Sequence, residues 1–183
     1  MPPRQKRAGL SLLETAALVS LSAIVLAALV PTFVRKLRLS KVAEATGELA
    51  ELQRRASAYY SRYHRMPGGQ RERGCVPGPA GPAPARPSEE PVEADFTAED
   101  TPGHATWEAL GYTPDGAIRY RYSLVTSHAG CAPREPEPEV LMTLRAEGDL
   151  DGDGVLSTLE RDSGPDGEEL VPVGVLRATR RIE

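Results

Sequence analysis

The chain opens on one long apolar run. From Leu10 to Val34 (LSLLETAALVSLSAIVLAALVPTFV) 25 residues carry a single ionisable side chain, Glu14. As a helix this run spans about 37 Å at ~1.5 Å per residue, enough to cross a hydrocarbon core of ~30 Å. Beyond Val34 the pattern turns amphipathic. Val42, Ala45, Leu49, Leu52, Ala56, Tyr59 and Tyr63 recur at spacings of three and four, which is one apolar stripe on a helix. Glu44, Glu48, Glu51, Arg54, Arg55 and Arg62 fall mostly off that stripe. The pattern predicts a helix reaching about His64, ended by Met66-Pro67-Gly68-Gly69. Pro31 removes a backbone donor and is expected to kink or locally melt it.

Residues 68–103 are rich in Gly, Pro, Glu and Ala. Such a segment buries little apolar surface, so it is expected to be an exposed loop pinned near its start by Cys75. Trp107 to Tyr112 reads as a short helical turn stopped by Gly111, with the sole tryptophan as a core plug. Three strands follow. Ile118–Val125 alternates, with Ile118, Tyr120, Tyr122 and Leu124 on one side; Val140–Glu147 is the second; Leu170–Leu176 is the third, with Pro172 marking an edge or a break. Short consecutive strands with local turns favour an antiparallel sheet. The expected organisation is therefore α+β. It has a leader over 1–9, an apolar helix over 10–34, an amphipathic continuation over 35–66 and a β-rich head over 67–183. A coiled-coil stalk is the competing use of the stripe, and Ala45 and Ala56 make a weak seam for it.

Charge sharpens this picture. The formal net charge is −4, but Arg4, Lys6 and Arg7 precede the apolar run with no acid beside them. Without those three bases, 19 Lys and Arg face 26 Asp and Glu. An acidic body argues against nucleic acid as a partner. The two cysteines, Cys75 and Cys131, form no CxxC motif. In a chain that leaves the cytoplasm they are expected to form one disulfide.

Three readings compete for the first 34 residues. A secretory signal has a shorter apolar core and a small-x-small cleavage site after it, and gains nothing from Glu14. A plain anchor has no reason to keep a buried carboxylate, which costs roughly 2.5–3.5 kcal/mol at mid-membrane; bases on both flanks also leave its orientation open. The third reading rests on Ala8-Gly9-Leu10-Ser11-Leu12-Leu13-Glu14. This stretch resembles the class III signal of type IV pilins and type II secretion pseudopilins. Leu10 and Ser11 stand where that family usually has Phe and Thr. The resemblance implies cleavage between Gly9 and Leu10 by a prepilin peptidase, N-methylation of Leu10, and Glu14 at the fifth mature position. It also implies that Glu14 pairs with the α-amino group of a neighbouring subunit, and that Pro31 is the helix-breaking proline many pilins carry. The implied fold is the pilin fold, one long helix laid on a small antiparallel sheet. The implied setting is the bacterial inner membrane with the head in the periplasm, then a periplasmic or surface filament of like subunits.

One further segment carries chemistry. Asp149-Leu150-Asp151-Gly152-Asp153-Gly154-Val155-Leu156-Ser157-Thr158-Leu159-Glu160 fits the twelve-residue calcium-loop template in full. Asp149, Asp151, Asp153 and Glu160 would supply carboxylates, Val155 its carbonyl, and Ser157 a water-mediated contact to a structural Ca2+. The flanks predict a β-hairpin rather than a helix pair, and alternating Asp and Gly is also ordinary turn chemistry. His64, His104 and His128 are dispersed, and no nucleophile elbow, P-loop or zinc motif is present, so no catalytic activity is expected. Two functions stay open: a subunit of a pilus or pseudopilus, or a membrane-anchored calcium-dependent binding module that does not polymerise.

Overall fold

The structure is a computed structural model and describes residues 11–126, 128–131 and 135–179. Gly9 and Leu10, the predicted processing junction, lie outside the described residues. The chain divides into two compact units, Met1–Ser40 and Lys41–Glu183. A helical run, α1, covers Leu12–Ser61 and contributes to both.

In the first unit, Leu12–Pro31 has a mean hydropathy of 2.2 and none of it is buried. This helix is long and apolar enough to span a membrane. Helical structure continues through Pro31, so the expected local melting does not occur. Proline removes one hydrogen bond, and the intact turns on either side hold the run together.

The second unit is an α+β head. After α1 come β1 (His64–Arg65), β2 (Arg71–Glu72), β3 (Ala80–Ala83), α2 (His104–Leu110), β4 (Arg121–Thr126), β5 (Met142–Gly148), β6 (Ser157–Asp166) and β7 (Glu169–Thr179). β1 and β2 form a small hairpin, and β3 to β7 form an antiparallel sheet in chain order. Ala45, Leu49, Leu52, Ala56 and Tyr60 of α1 are buried in one core with Tyr122 and Leu124 of β4, Met142, Leu144 and Ala146 of β5, and Leu159 of β6. Four of these helix residues are on the predicted stripe. The fifth is a correction: Tyr60 is 3% exposed, whereas Tyr63 is 58% exposed. The helix stops at Ser61, short of His64, and the chain from His64 is extended, so Tyr63 never completes the stripe.

The tract over 68–103 also departs from expectation. It buries Cys75, Val76, Ala80, Ala83 and Phe96 and supplies the edge strand β3. Small residues make this possible, because they let backbones approach. Gly81 has φ 85°, and a Cβ there would strike the Tyr122 carbonyl and come within 2.9 Å of Ser123 Cα. Phe96 meets Trp107 edge-on at 5.1 Å, and Trp107, fully buried, donates from Nε1 to the Pro102 carbonyl at 3.2 Å. α2 ends at Gly111 in the left-handed region, with Tyr112 N–H bonded to Trp107 O and Gly111 N–H to Glu108 O, a Schellman stop. The predicted Cys75–Cys131 disulfide is formed and closes a separation of 56 residues.

Candidate functional site

The first candidate is the start of α1. Ser11 and Glu14 cap one another: Ser11 N–H donates to Glu14 Oε2 at 2.8 Å, and Glu14 N–H donates to Ser11 Oγ at 3.3 Å. This is a capping box, in which two otherwise orphaned amides are satisfied reciprocally. The polar side chains further on are also turned onto the backbone. Thr15 Oγ1 donates to Leu12 O at 2.9 Å and Ser22 Oγ to Leu18 O at 2.8 Å. Such bonds suit an apolar environment, where a free hydroxyl is costly. Glu14 is thus the one formal charge between Leu12 and Pro31, where the hydroxyls of Thr15 and Ser22 are already paired. Its carboxylate lies at the very start of the run, where a helix N-terminus favours negative charge.

The second candidate is the turn between β5 and β6. Asp149, Asp151 and Asp153 bring one carboxylate oxygen each within 4.8 Å of one another. The turn orders itself through them. Asp149 accepts Gly152 N–H at 2.9 Å and Gly154 N–H at 3.1 Å, and Asp153 accepts Val155 N–H at 2.6 Å. Gly152 and Gly154 have φ 75° and 82°, which a side chain would resist. Of the other predicted ligands, Val155 stays in the turn, its N–H bonded to Asp153, while the remaining ones sit elsewhere. Ser157 through Glu160 belong to β6; Ser157 is buried, and Glu160 lies opposite Arg145 in the ladder. Glu160 Oε1 accepts from Arg145 Nε at 2.8 Å and Oε2 from Arg177 Nη2 at 3.3 Å. Its carboxylate serves the solvent face of the sheet, not the turn. The donor set facing a hard cation is three aspartates, fewer than the six to eight oxygens calcium takes, so water would have to supply the rest.

Polar ties hold the part of α1 from Lys41 to Arg55 to the rest of the head. Lys41 Nζ donates to Leu150 O at 2.7 Å; Glu44 accepts from Arg119 N–H at 2.6 Å and from Arg119 Nη1 at 2.7 Å. Tyr112 donates its hydroxyl to Glu48 at 2.7 Å. Gln53 Nε2 donates to Leu170 O at 3.0 Å while Ser163 donates to Gln53 Oε1. Arg55 donates to Gly111 O. Burial raises the phenol of Tyr112, and the neighbouring Glu48 charge adds to it; burial likewise raises Tyr122 and pushes Tyr120 up to about 12. On the outer face the Arg177 pair holds the Asp162 carboxyl below its usual range.

Neither a family model nor a curated protein nor a solved structure matches this chain.

Proposed function

We propose that the chain is a structural subunit of a type IV pilus or type II secretion-like filament. It would be cleaved between Gly9 and Leu10, N-methylated at Leu10, and assembled through its apolar helix. The observation that carries this reading is the apolar helix Leu12–Pro31: none of it is buried, and its one carboxylate lies within its first turn. A surface that apolar needs lipid or other protein around it. A carboxylate at its mouth needs a cation, and cleavage would create one next door as the Leu10 α-ammonium of a neighbouring copy. The head adds support, since α1 lies on a small antiparallel sheet through the stripe Ala45–Tyr60. In this reading Ser11 and Glu14 cap the helix until a neighbour's N-terminus competes for the carboxylate. We place the unassembled subunit in the bacterial inner membrane with its head in the periplasm. Within the head, Asp149, Asp151 and Asp153 would hold Ca2+ weakly, in a structural role. The deciding experiment is mass spectrometry of the mature N-terminus. N-methyl-Leu10 is expected; an intact Met1, or a cut beyond Val30, would leave the membrane-anchored module as the better description.

A further inference from the structure

We infer that an arginine face on the β1–β2 hairpin receives the acidic patch around Glu89, Glu90 and Glu93 of a second copy of this chain. The β6–β7 turn beside the hairpin carries the exposed acids Asp166, Glu168 and Glu169, so the basic feature is the hairpin face itself, not a whole end of the head. Arg65 and Arg71 are direct cross-strand partners, so their side chains leave the same face of a two-residue ladder. Continuing that register one step places Tyr63 opposite Arg73, and the Arg73 guanidinium indeed lies 4.0 Å from the Tyr63 ring centroid. One face of the hairpin therefore presents Tyr63, Arg65, Arg71 and Arg73. Arg73 has an acid of its own, Glu168. Arg65 and Arg71 are exposed and, among the described residues, have none. Like charges set directly opposite destabilise a strand pair, and a carboxylate bridging both guanidinium groups removes that cost.

The matching charge lies at the other end of the head. Glu89, Glu90 and Glu93 are exposed, and no ion pair in the described residues engages them. Glu89 reaches the acidic turn: a Cβ on Gly152 would lie 3.7 Å from Glu89 Oε2. This joins Glu89 to the exposed Asp151 and Asp153. β6 links the two ends. It leaves the acidic turn at Ser157 and runs ten residues to the turn that carries Glu168, roughly 30 Å at ~3.3 Å per residue. That distance keeps the two charged patches of one head from neutralising each other. A contact between unlike patches on identical chains is heterologous, and repeated it builds open filaments rather than closed pairs. The inference deepens the filament reading and rests on it for the choice of a second copy as partner.

The test uses the full chain in nanodiscs, with self-association measured by fluorescence anisotropy at low and high salt. Wild type should associate at least about tenfold more weakly at high salt, as exposed charge pairs are screened. Arg65→Glu/Arg71→Glu and Glu89→Arg/Glu90→Arg/Glu93→Arg should each lose about tenfold at low salt, and an equal mixture of the two should recover it. Unchanged melting by circular dichroism shows that both variants fold. Association that ignores either charge reversal, or a mixture that fails to recover, overturns the inference. So does an arginine variant that associates normally but loses binding to a labelled oligothymidine, which would assign the face to single-stranded nucleic acid. The N-terminal mass spectrum separates the two levels: N-methyl-Leu10 with no charge effect sinks only this inference, and an unprocessed N-terminus sinks only the filament reading.

Discussion

The apolar helix and the head contain similar kinds of side chain and use them in opposite ways. Leu21, Ile24, Leu26 and Leu29 are each at least 58% exposed, whereas Leu49, Leu52, Leu124 and Leu144 of the head are at most 1% exposed. The head satisfies its own hydrophobic groups; the N-terminal unit leaves that task to whatever surrounds it. Their polar groups differ in the same sense. In the apolar helix Thr15 and Ser22 fold back onto the local backbone, whereas in the head Gln53 reaches across elements to Leu170 and Ser163. A segment with only local bonds keeps its structure wherever it is placed. One with distant bonds depends on its own packing.

Truncation should break this symmetry most strongly. Trp107→Ala removes a fully buried ring that packs on Phe96 and Tyr112, and should cost about 3–5 kcal/mol in the head. Leu21→Ala, in the exposed helix, should leave head stability unchanged. Chemical denaturation of the full chain in mild detergent, followed by near-ultraviolet circular dichroism of the head's tyrosines, checks both; equal losses would erase the distinction between the units.

Alkaline pH probes the head alone and should act less strongly. Tyr112, Tyr120 and Tyr122 hold their protons more tightly folded than unfolded. Their contribution is complete below the unfolded phenol value near 10 and is lost as pH rises beyond it. Each phenol proton retained by the folded chain should remove about 1.4 kcal/mol per pH unit in that window. Melting temperatures measured from pH 8 upward (roughly the start of phenol ionisation) should be flat at first and then fall. A rise would contradict the burial of these rings.

Calcium should have the smallest effect. With Glu160 committed to Arg145 and Arg177, three aspartates are left to bind, and the head should melt only slightly higher at millimolar calcium. Calorimetry of the calcium-free chain gives the direct reading. Tight binding would mean that Glu160 abandons its arginines, and no heat at all would remove the ion from the account.

The helix was readable from the sequence because its signal is periodic: Ala45, Leu49, Leu52 and Ala56 are buried as their spacing demands. β4, β5 and β7 were readable from alternation and β-branched content, to within a few residues at each end. β6 was not. Its core-facing row is Ser157, Leu159, Arg161 and Ser163, so only one of four inward positions is apolar and no alternation appears. Its first four residues also complete a calcium template, and a motif that depends only on spacing says nothing about which side of a strand each residue faces. β3 was hidden for another reason. Ala-Gly-Pro-Ala has no strand-forming side chain, and its place is set by how closely it approaches β4. The arginine face of the hairpin was masked by the reading of Met66 to Gly69 as a simple helix stop, when the Met66 N–H to Gln70 O bond of 2.9 Å closes a turn between two paired strands.

The ties between α1 and the rest of the head bear on how the head carries force. Lys41, Glu44, Glu48, Gln53 and Arg55 are spread over fifteen consecutive positions, and between them they grip the β5–β6 turn, the segment before β4, the end of α2 and β7. A pull along the helix axis loads these grips side by side, in shear, together with the buried stripe between them. They would have to give way together rather than one after another as in a zipper. Under axial tension the helix and its sheet should therefore behave as one mechanical element, with the Cys75–Cys131 link limiting how far the chain between its ends extends if the grips fail.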